Sequence, residues 1–206
     1  MSQGTTESAF TEITRPEKPG RARLVAGGSI WAVTYRVRVG TREDAAAIAE
    51  VHIASWRVGY AHVIPESVLY GDDFEPRRRA IWTDWRFAPT QRVAVSVDDD
   101  DRVVGFAAYG PERERGRGNT GRGELYAFYF HPDTWGTGAA AQLVGHVDER
   151  LGAEGFAEAV LWVLDDNPRA RAFYERRGWE PTGIDADYDV HCDLRLPEVE
   201  YRKALT

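Results

Sequence analysis

The chain has 206 residues and a mass of 23.1 kDa, and its 26 basic against 33 acidic residues give a formal net charge of −7. This acidic balance argues against a nucleic-acid binder, which normally carries a basic surface, and no apolar run approaches the about 20 residues that cross a bilayer. The polar first residues lack the pattern of a secretory signal, so we expect a cytoplasmic protein. A single cysteine, Cys192, excludes an intrachain disulfide, and the five histidines show no metal-ligand spacing, so we expect no metal.

Alternating and helical hydrophobic patterns predict the order of elements along the chain. We expect a leader over residues 1–32, which has prolines and glycines but little periodicity, followed by one domain over 33–206. The predicted elements, in chain order, are a strand (35–39), a helix (41–59), short helices from 65 and from 75, three meander strands (92–97, 102–109 and 124–130), a helix (136–151), a strand (159–164), a helix (168–177), a solvated turn at 185–189 and strand-like pieces around Pro197. This order predicts a mixed α/β (α+β) sheet flanked by helices rather than a doubly wound parallel sheet.

A loop of small residues joins the last meander strand to the following helix. Gly136, Gly138, Ala139 and Ala140 keep side chains away from the first turn of that helix, where N–H groups are unpaired and the helix dipole is positive. Such a loop can hold a pyrophosphate on main-chain donors. A Gly-x-Gly at a helix start is also compatible with simple capping, so this loop does not decide the function alone.

Two other phosphate-binding motifs fit this loop less well. A P-loop requires Gly-Lys-Ser/Thr at its end, and no lysine lies near this segment. The dinucleotide fingerprint G-x-G-x-x-A is matched by residues 136–141, but it places its first glycine directly after the strand. Here the five residues from His131 to Trp135 intervene. A nicotinamide dinucleotide-binding oxidoreductase therefore remains an alternative function.

A second motif lies downstream, where Asn167, Ala170, Phe173-Tyr174 and Gly178-Trp179 follow one another in the order N-x-x-A-x-x-F-Y-x-x-x-G-W. This segment resembles the signature of the GCN5-related N-acetyltransferase (GNAT) superfamily, and the glycine loop before it resembles the other cofactor motif of that superfamily. The resemblance extends from about Tyr35 to the C-terminus. It implies a GNAT acyl-CoA fold, with a central mixed sheet that splays between the fourth and fifth strands, and an enzyme that moves an acetyl group from acetyl-CoA directly to a primary amine.

The resemblance also implies which residues hold the cofactor. The pantetheine arm would run along the backbone of Phe128 and Phe130, Asn167 would cap its helix and reach this arm, and Tyr174 would protonate the departing sulfur. The residues expected at the diphosphate are Trp135, Gly136, Thr137, Gly138, Ala139 and Ala140. The superfamily has Gln or Arg where this chain has Trp135, which removes a polar side chain but leaves the main-chain donors.

The acceptor side is less defined. Glu124 is the candidate base for the amine, with a water chain as the alternative, and Trp56, Tyr60 and Tyr126 are candidate walls of the acceptor pocket. Core packing or a solvated strand end would explain the same residues without a function. The acceptor is expected to be a small molecule or a peptide, and the acidic net charge favours a cationic amine. A homodimer and a non-catalytic acyl-CoA sensor stay open, and we expect neither nucleic acid nor membrane as a partner.

Overall fold

The computed structural model describes residues 33–85, 87, 90–113, 120–191 and 194–205; the predicted leader and Cys192 lie outside these ranges. The strands are β1 (Arg36–Val39), β2 (Arg92–Val97), β3 (Val103–Pro111), β4 (Gly123–Phe130), β5 (Glu158–Leu164), β6 (Glu180–His191) and β7 (Leu194–Ala204). The helices are α1 (Ala45–Gly59), α2 (Glu66–Leu69), α3 (Phe74–Thr83), α4 (Ala139–Ala153) and α5 (Pro168–Glu175), with single 3-10 turns at Arg42–Asp44 and Pro132–Thr134.

The seven strands form one mixed sheet in the order β1-β2-β3-β4-β5-β7-β6. Neighbouring strands are antiparallel except for β4 and β5, which are parallel. The parallel pair arises because α4 connects the two strands, as a crossover helix must. The predicted mixed sheet flanked by helices is therefore confirmed.

The parallel pair β4–β5 is held together over only three residue pairs. Gly123, Glu124 and Leu125 pair with residues 159–161, and no pair follows although both strands continue. On the other side of β4, the register against β3 shifts between Leu125 and Ala127, so Tyr126 is an extra residue in a β-bulge. A bulge bends its strand and increases the local twist. The bent β4 thus diverges from β5, which confirms the predicted splay between the fourth and fifth strands.

Helices cover both faces of the sheet and bury two apolar clusters. On one face, Leu143, Val147 and Leu151 of α4 are fully buried against the sheet. On the other face, Ile48 of α1 and Trp82 of α3 belong to the second buried cluster. The two faces of the sheet are connected at the splay, because the sheet between them is interrupted there.

Local signals at the helix ends act as predicted. The N–H of Thr41 donates to Oδ2 of Asp44 at 2.9 Å before α1, and Oδ1 of Asn167 accepts the N–H of Ala170 at 3.1 Å at the start of α5. Gly178 has a φ of +81° after α5. Because this left-handed conformation strains residues with a side chain, glycine ends the helix there.

Three predicted elements differ from the structure. Helix α4 begins at Ala139 rather than 136, since Gly136 and Gly138 have φ values of +83° and +93° that no helix contains. The predicted turn at 185–189 is part of strand β6, where Asp185 pairs with Val199. The strand-like pieces predicted around Pro197 are one continuous strand there, β7, in which the Pro197 carbonyl accepts the N–H of Asp165, one residue beyond the end of β5.

Candidate active site

A cavity of about 890 Å³ passes through the splay from the α4–α5 face to the α1–α3 face. It brings together most of the residues predicted from the sequence. Those that line it are Trp56, Tyr60, Glu124, Tyr126, Phe128, Phe130, Trp135, Gly136, Gly138, Ala140, Asn167 and Tyr174. Thr137 and Ala139 are not in the wall, because the Thr137 hydroxyl donates to the carbonyl of Thr134 and Ala139 is buried in the core.

The N-terminus of α4 opens into this cavity. Gly138 is the N-cap residue, and it has no side chain to cap the first turn. A Cβ added to Gly136 or Gly138 would have no heavy atom of the described residues within 4 Å, so the space in front of the loop is open. Both glycines are required by their positive φ. The 15-residue helix α4 therefore directs its positive dipole end and free N–H groups at the cavity.

The Trp135 side chain is fixed beside this helix N-terminus, and the guanidinium of an arginine packs on its ring. Its indole Nε1 donates to the carbonyl of Phe130 at 2.8 Å. The guanidinium of Arg169, from the first turn of α5, lies 3.5 Å from the ring centroid of Trp135. Arg169 lines the cavity and makes no ion pair with the described part of the chain. A cation therefore lies near the loop, although the loop sequence itself contains none.

Tyr174 lies at the end of α5 nearest the splay. It is 7% exposed, and its ring contacts Phe128, Phe173 and Trp179 at centroid distances of 6.2, 5.4 and 6.2 Å. Its hydroxyl makes no hydrogen bond with any described residue. Burial, followed by the neighbouring Tyr129, raises the pKa of Tyr174 well above its ordinary value. The phenol is thus protonated at neutral pH and is held by packing rather than by a polar partner.

Three further tyrosines surround the acceptor side of the cavity. Tyr60 from α1, Tyr129 from β4 and Tyr188 from β6 all line it. Burial raises the pKa of Tyr188 to about 12, with a further contribution from Tyr129. Burial and Tyr129 also raise the pKa of Tyr60. Trp56 packs edge-on against Tyr60 at a centroid distance of 5.0 Å, so this part of the wall is aromatic.

Among the described residues, Glu124 is one of two buried carboxylates that line the cavity, with a side chain 1% exposed; the other is Glu198 of β7, which is 5% exposed. Arg113 holds it from the adjoining loop, since the Arg113 N–H donates to Oε2 at 2.8 Å and its guanidinium donates to Oε1 at 3.1 and 2.5 Å. Arg113 also lies over the ring of Tyr126 at 4.7 Å. This bidentate contact fixes the Glu124 side chain next to β5, where the two strands begin to separate.

His52 lies deeper in the acceptor side and stacks on Tyr129 at 4.7 Å. Its Nδ1 accepts the indole N–H of Trp82 at 3.0 Å, which assigns the proton of the neutral ring to Nε2. Burial, and then the positive charge of Arg78, lowers the pKa of His52 well below its ordinary value. His52 is therefore neutral at pH 7 and presents a buried Nε2–H that has no partner in the described residues.

Several of these cavity residues were missed by the sequence analysis. Tyr129 and Tyr188 are ordinary alternating residues of their strands, and His52 reads as a core residue of α1. Arg169 lies inside the recognised α5 motif, at a position where the motif allows any residue. Only the tertiary packing brings them together, so no local pattern identifies them.

Within the described ranges, no group of three or more His, Cys, Asp or Glu side chains is arranged to hold a metal ion. Among the helices described, none is long and apolar enough to cross a membrane.

Two solved structures described as N-acetyltransferases have this architecture. The paiA N-acetyltransferase of Thermoplasma acidophilum is 17% identical, with a TM-score of 0.62 over 83% of this chain and 99% of that one. A GCN5-related N-acetyltransferase of Kribbella flavida is 21% identical, with a TM-score of 0.62 over 83% of this chain and 98% of that one. This chain therefore shares the fold of these two proteins.

Sequence comparisons give the family. The acetyltransferase (GNAT) family profile matches residues 49–179. The uncharacterized N-acetyltransferase YuaI of Bacillus subtilis is 32% identical over 166 residues, which cover 79% of this chain and 89% of YuaI. A mycothiol acetyltransferase of Kocuria rhizophila is 34% identical over 117 residues, but the match spans only 37% of that relative. The chain belongs to the GNAT family of acetyltransferases.

The buried neutral state of His52 predicts a pH dependence of stability. Because its pKa is lowered on folding, the unfolded chain binds a proton more readily, and stability is lost as the pH falls below the ordinary histidine value. Relative to His52→Asn, we expect the wild-type free energy of unfolding to decline more steeply between about pH 7.5 and about pH 5, by up to about 1.4 kcal/mol per pH unit. Urea unfolding of both proteins at each pH measures this difference. Parallel curves for His52→Asn and wild type would contradict the assignment.

Proposed function

We propose that the protein transfers the acetyl group of acetyl-CoA directly to a primary amine, in a complex that holds both substrates. The observation that carries this proposal is the single cavity that joins an uncapped helix N-terminus to Tyr174 through the splay of the sheet. Family membership supports the acetyl transfer, and the related Thermoplasma structure was determined in complex with coenzyme A. Family membership also favours this function over a nicotinamide-dependent oxidation.

The cofactor would lie in the α4–α5 half of the cavity. The diphosphate is proposed to rest on the N–H groups of residues 136–140, and Arg169 would add a cation from its place on the ring of Trp135. The chain thus replaces the polar side chain of the superfamily motif by an arginine from another helix. The pantetheine arm would pass between β4 and β5, along Phe128 and Phe130, toward Asn167 and the Tyr174 hydroxyl.

The chemistry follows from the groups that meet at the splay. The amine nitrogen attacks the thioester carbonyl, and the tetrahedral intermediate collapses with cleavage of the C–S bond. The leaving thiolate takes its proton from the Tyr174 hydroxyl, which is protonated at neutral pH. The proton released by the amine passes to Glu124, directly or through water, because Glu124 is the carboxylate of the wall at the start of the splay. Solvent water then restores both groups.

The proposed function is tested by ligand-induced stabilisation and by turnover. Acetyl-CoA should raise the melting temperature, by mass action on the folded state, whereas NADH should not. A panel of primary amines, small molecules and short peptides, should then release free CoA at a rate above that of hydrolysis. Stabilisation by NADH and not by acetyl-CoA, or acetyl-CoA binding without any amine-dependent CoA release, would contradict the proposal.

Removal of the Tyr174 hydroxyl should affect chemistry without affecting folding. In Tyr174→Phe we expect kcat to fall by about 100-fold, the usual contribution of a general acid, with the KM for acetyl-CoA within about threefold of wild type. The melting temperature should hardly change, because the hydroxyl makes no hydrogen bond to the described protein. Steady-state kinetics measures this, and Tyr70→Phe, at an exposed tyrosine outside the cavity, is the control. An unchanged kcat in Tyr174→Phe would exclude the acid role.

The base role of Glu124 predicts a pH-dependent loss. Glu124→Gln keeps the shape and one acceptor oxygen for Arg113 but cannot take a proton, so kcat/KM near neutral pH should fall by about 100-fold. The deficit should shrink as the pH approaches the amine pKa near about 10, where the acceptor arrives unprotonated. A pH profile of kcat/KM measures this, with Glu158→Gln on β5, outside the cavity wall, as the matched control. A deficit that is constant with pH would show that Glu124 has only a structural role.

A further inference from the structure

Arg78 of α3 is a buried cation without an anionic partner. The residue is 7% exposed, and no carboxylate of the described residues lies within 4.0 Å of its guanidinium. Its Nε is buried and has no hydrogen-bond partner in this part of the chain. The two arginines beside it differ, since Arg79 pairs with Glu50 and Glu75 and Arg77 is exposed.

The surroundings of Arg78 are aromatic. Its Cζ lies 3.8 Å from the ring centroid of Trp56 and 5.1 Å from that of Phe74. Stacking on aromatic faces recovers part of the lost hydration of a guanidinium but leaves its N–H edges without acceptors. Buried charges in proteins are normally paired, and an unpaired one is unfavourable. The N–H edges of Arg78 thus lack the anion that such a site requires.

Arg78 adjoins the acceptor side of the large cavity. It lines a smaller pocket of about 300 Å³, and Val190 is a wall of both spaces. Trp56, on which the guanidinium lies, is also a wall of the large cavity. The charge of Arg78 acts on the cavity residue His52, where it adds to the effect of burial in lowering the pKa. Asp72 and Asp73 also line the small pocket, but both are exposed and screened by water.

We propose that the acceptor carries a carboxylate as well as its amine, and that Arg78 binds this carboxylate. The inference rests on the proposed acetyl transfer and specifies its substrate class as amino acids or similar carboxylate-bearing amines. Arg78 is a specificity-determining residue in this account, because a planar guanidinium matches a carboxylate with two parallel hydrogen bonds. Arg113, a cation that lines the large cavity near Tyr126, is already paired with Glu124.

The test measures binding rather than turnover, so that it does not depend on chemistry. The protein is saturated with CoA and titrated with L-phenylalanine, L-methionine, L-glutamine and β-alanine and with the amide of each, and affinity is measured by calorimetry. For at least one pair, the acid should bind about tenfold or more tightly than its amide, the effect expected of a charge-assisted hydrogen-bonded pair. Arg78→Met should abolish this preference by weakening the acid alone.

Controls separate the binding role from folding. Arg79→Met removes a neighbouring arginine that is ion-paired outside both cavities, and it should retain the preference for acids. If Arg78→Met does not fold, Arg78→Lys serves instead, because it keeps the charge and should weaken the acid through loss of the paired geometry.

The outcomes distinguish this inference from the proposed function. Failure of CoA to bind the wild type would overturn the acetyl transfer itself. CoA binding with equal affinity for acids and amides, with no affinity for any acid, or with a preference that survives in the folded Arg78 variant, would overturn only the carboxylate site.

Discussion

The separation of β4 from β5 after three residue pairs is the constraint on which the site depends. In the interior of a sheet, main-chain groups are normally all paired, and here two adjacent strands leave theirs unpaired because the bulge at Tyr126 bends β4 away. The separation opens a passage through the sheet, and the crossover from β4 places the N-terminus of α4 at one end of it. Glu124 lies where the separation starts, and Tyr174 of α5 lines the same cavity, packed against Phe128 of β4.

The local charges at the two ends of this passage differ from the net charge of the chain. The chain is acidic overall, so its long-range field repels an anionic cofactor, but such fields are screened within about 10 Å in physiological salt. Near the loop, the fixed main-chain N–H donors and Arg169, which packs on Trp135, would act on such an anion at contact distance. Local dipoles therefore outweigh net charge at the cofactor end. The aromatic wall of Trp56, Tyr60 and Tyr129 contributes no charge at the acceptor end.

The sequence predicted those parts of the site that are local in the chain. Asn167, the small-residue loop and Tyr174 lie in contiguous motifs whose geometry is set by caps and turns, and all but Thr137 and Ala139 of the predicted residues line the cavity. Arg78 was not predicted, because a run of three arginines on a helix indicates a solvated face. Its burial results from the packing of α3 on Trp56 of α1, a contact between distant segments that periodicity does not contain.

Buried charged side chains of this protein differ in whether they have an ion-pair partner. Glu124 is matched by Arg113 and Asp44 by Arg38, each with short charge-assisted hydrogen bonds. Arg78, in contrast, has no carboxylate of the described residues within 4.0 Å, and it lies beside the large cavity, since Trp56 under its guanidinium is part of the cavity wall. The acidic net charge favours a cationic amine through a screened field, whereas Arg78 favours an anion at contact distance. A substrate with both an amine and a carboxylate would satisfy the two, if, as proposed, its amine faces Glu124 and Tyr174 and its carboxylate faces Arg78.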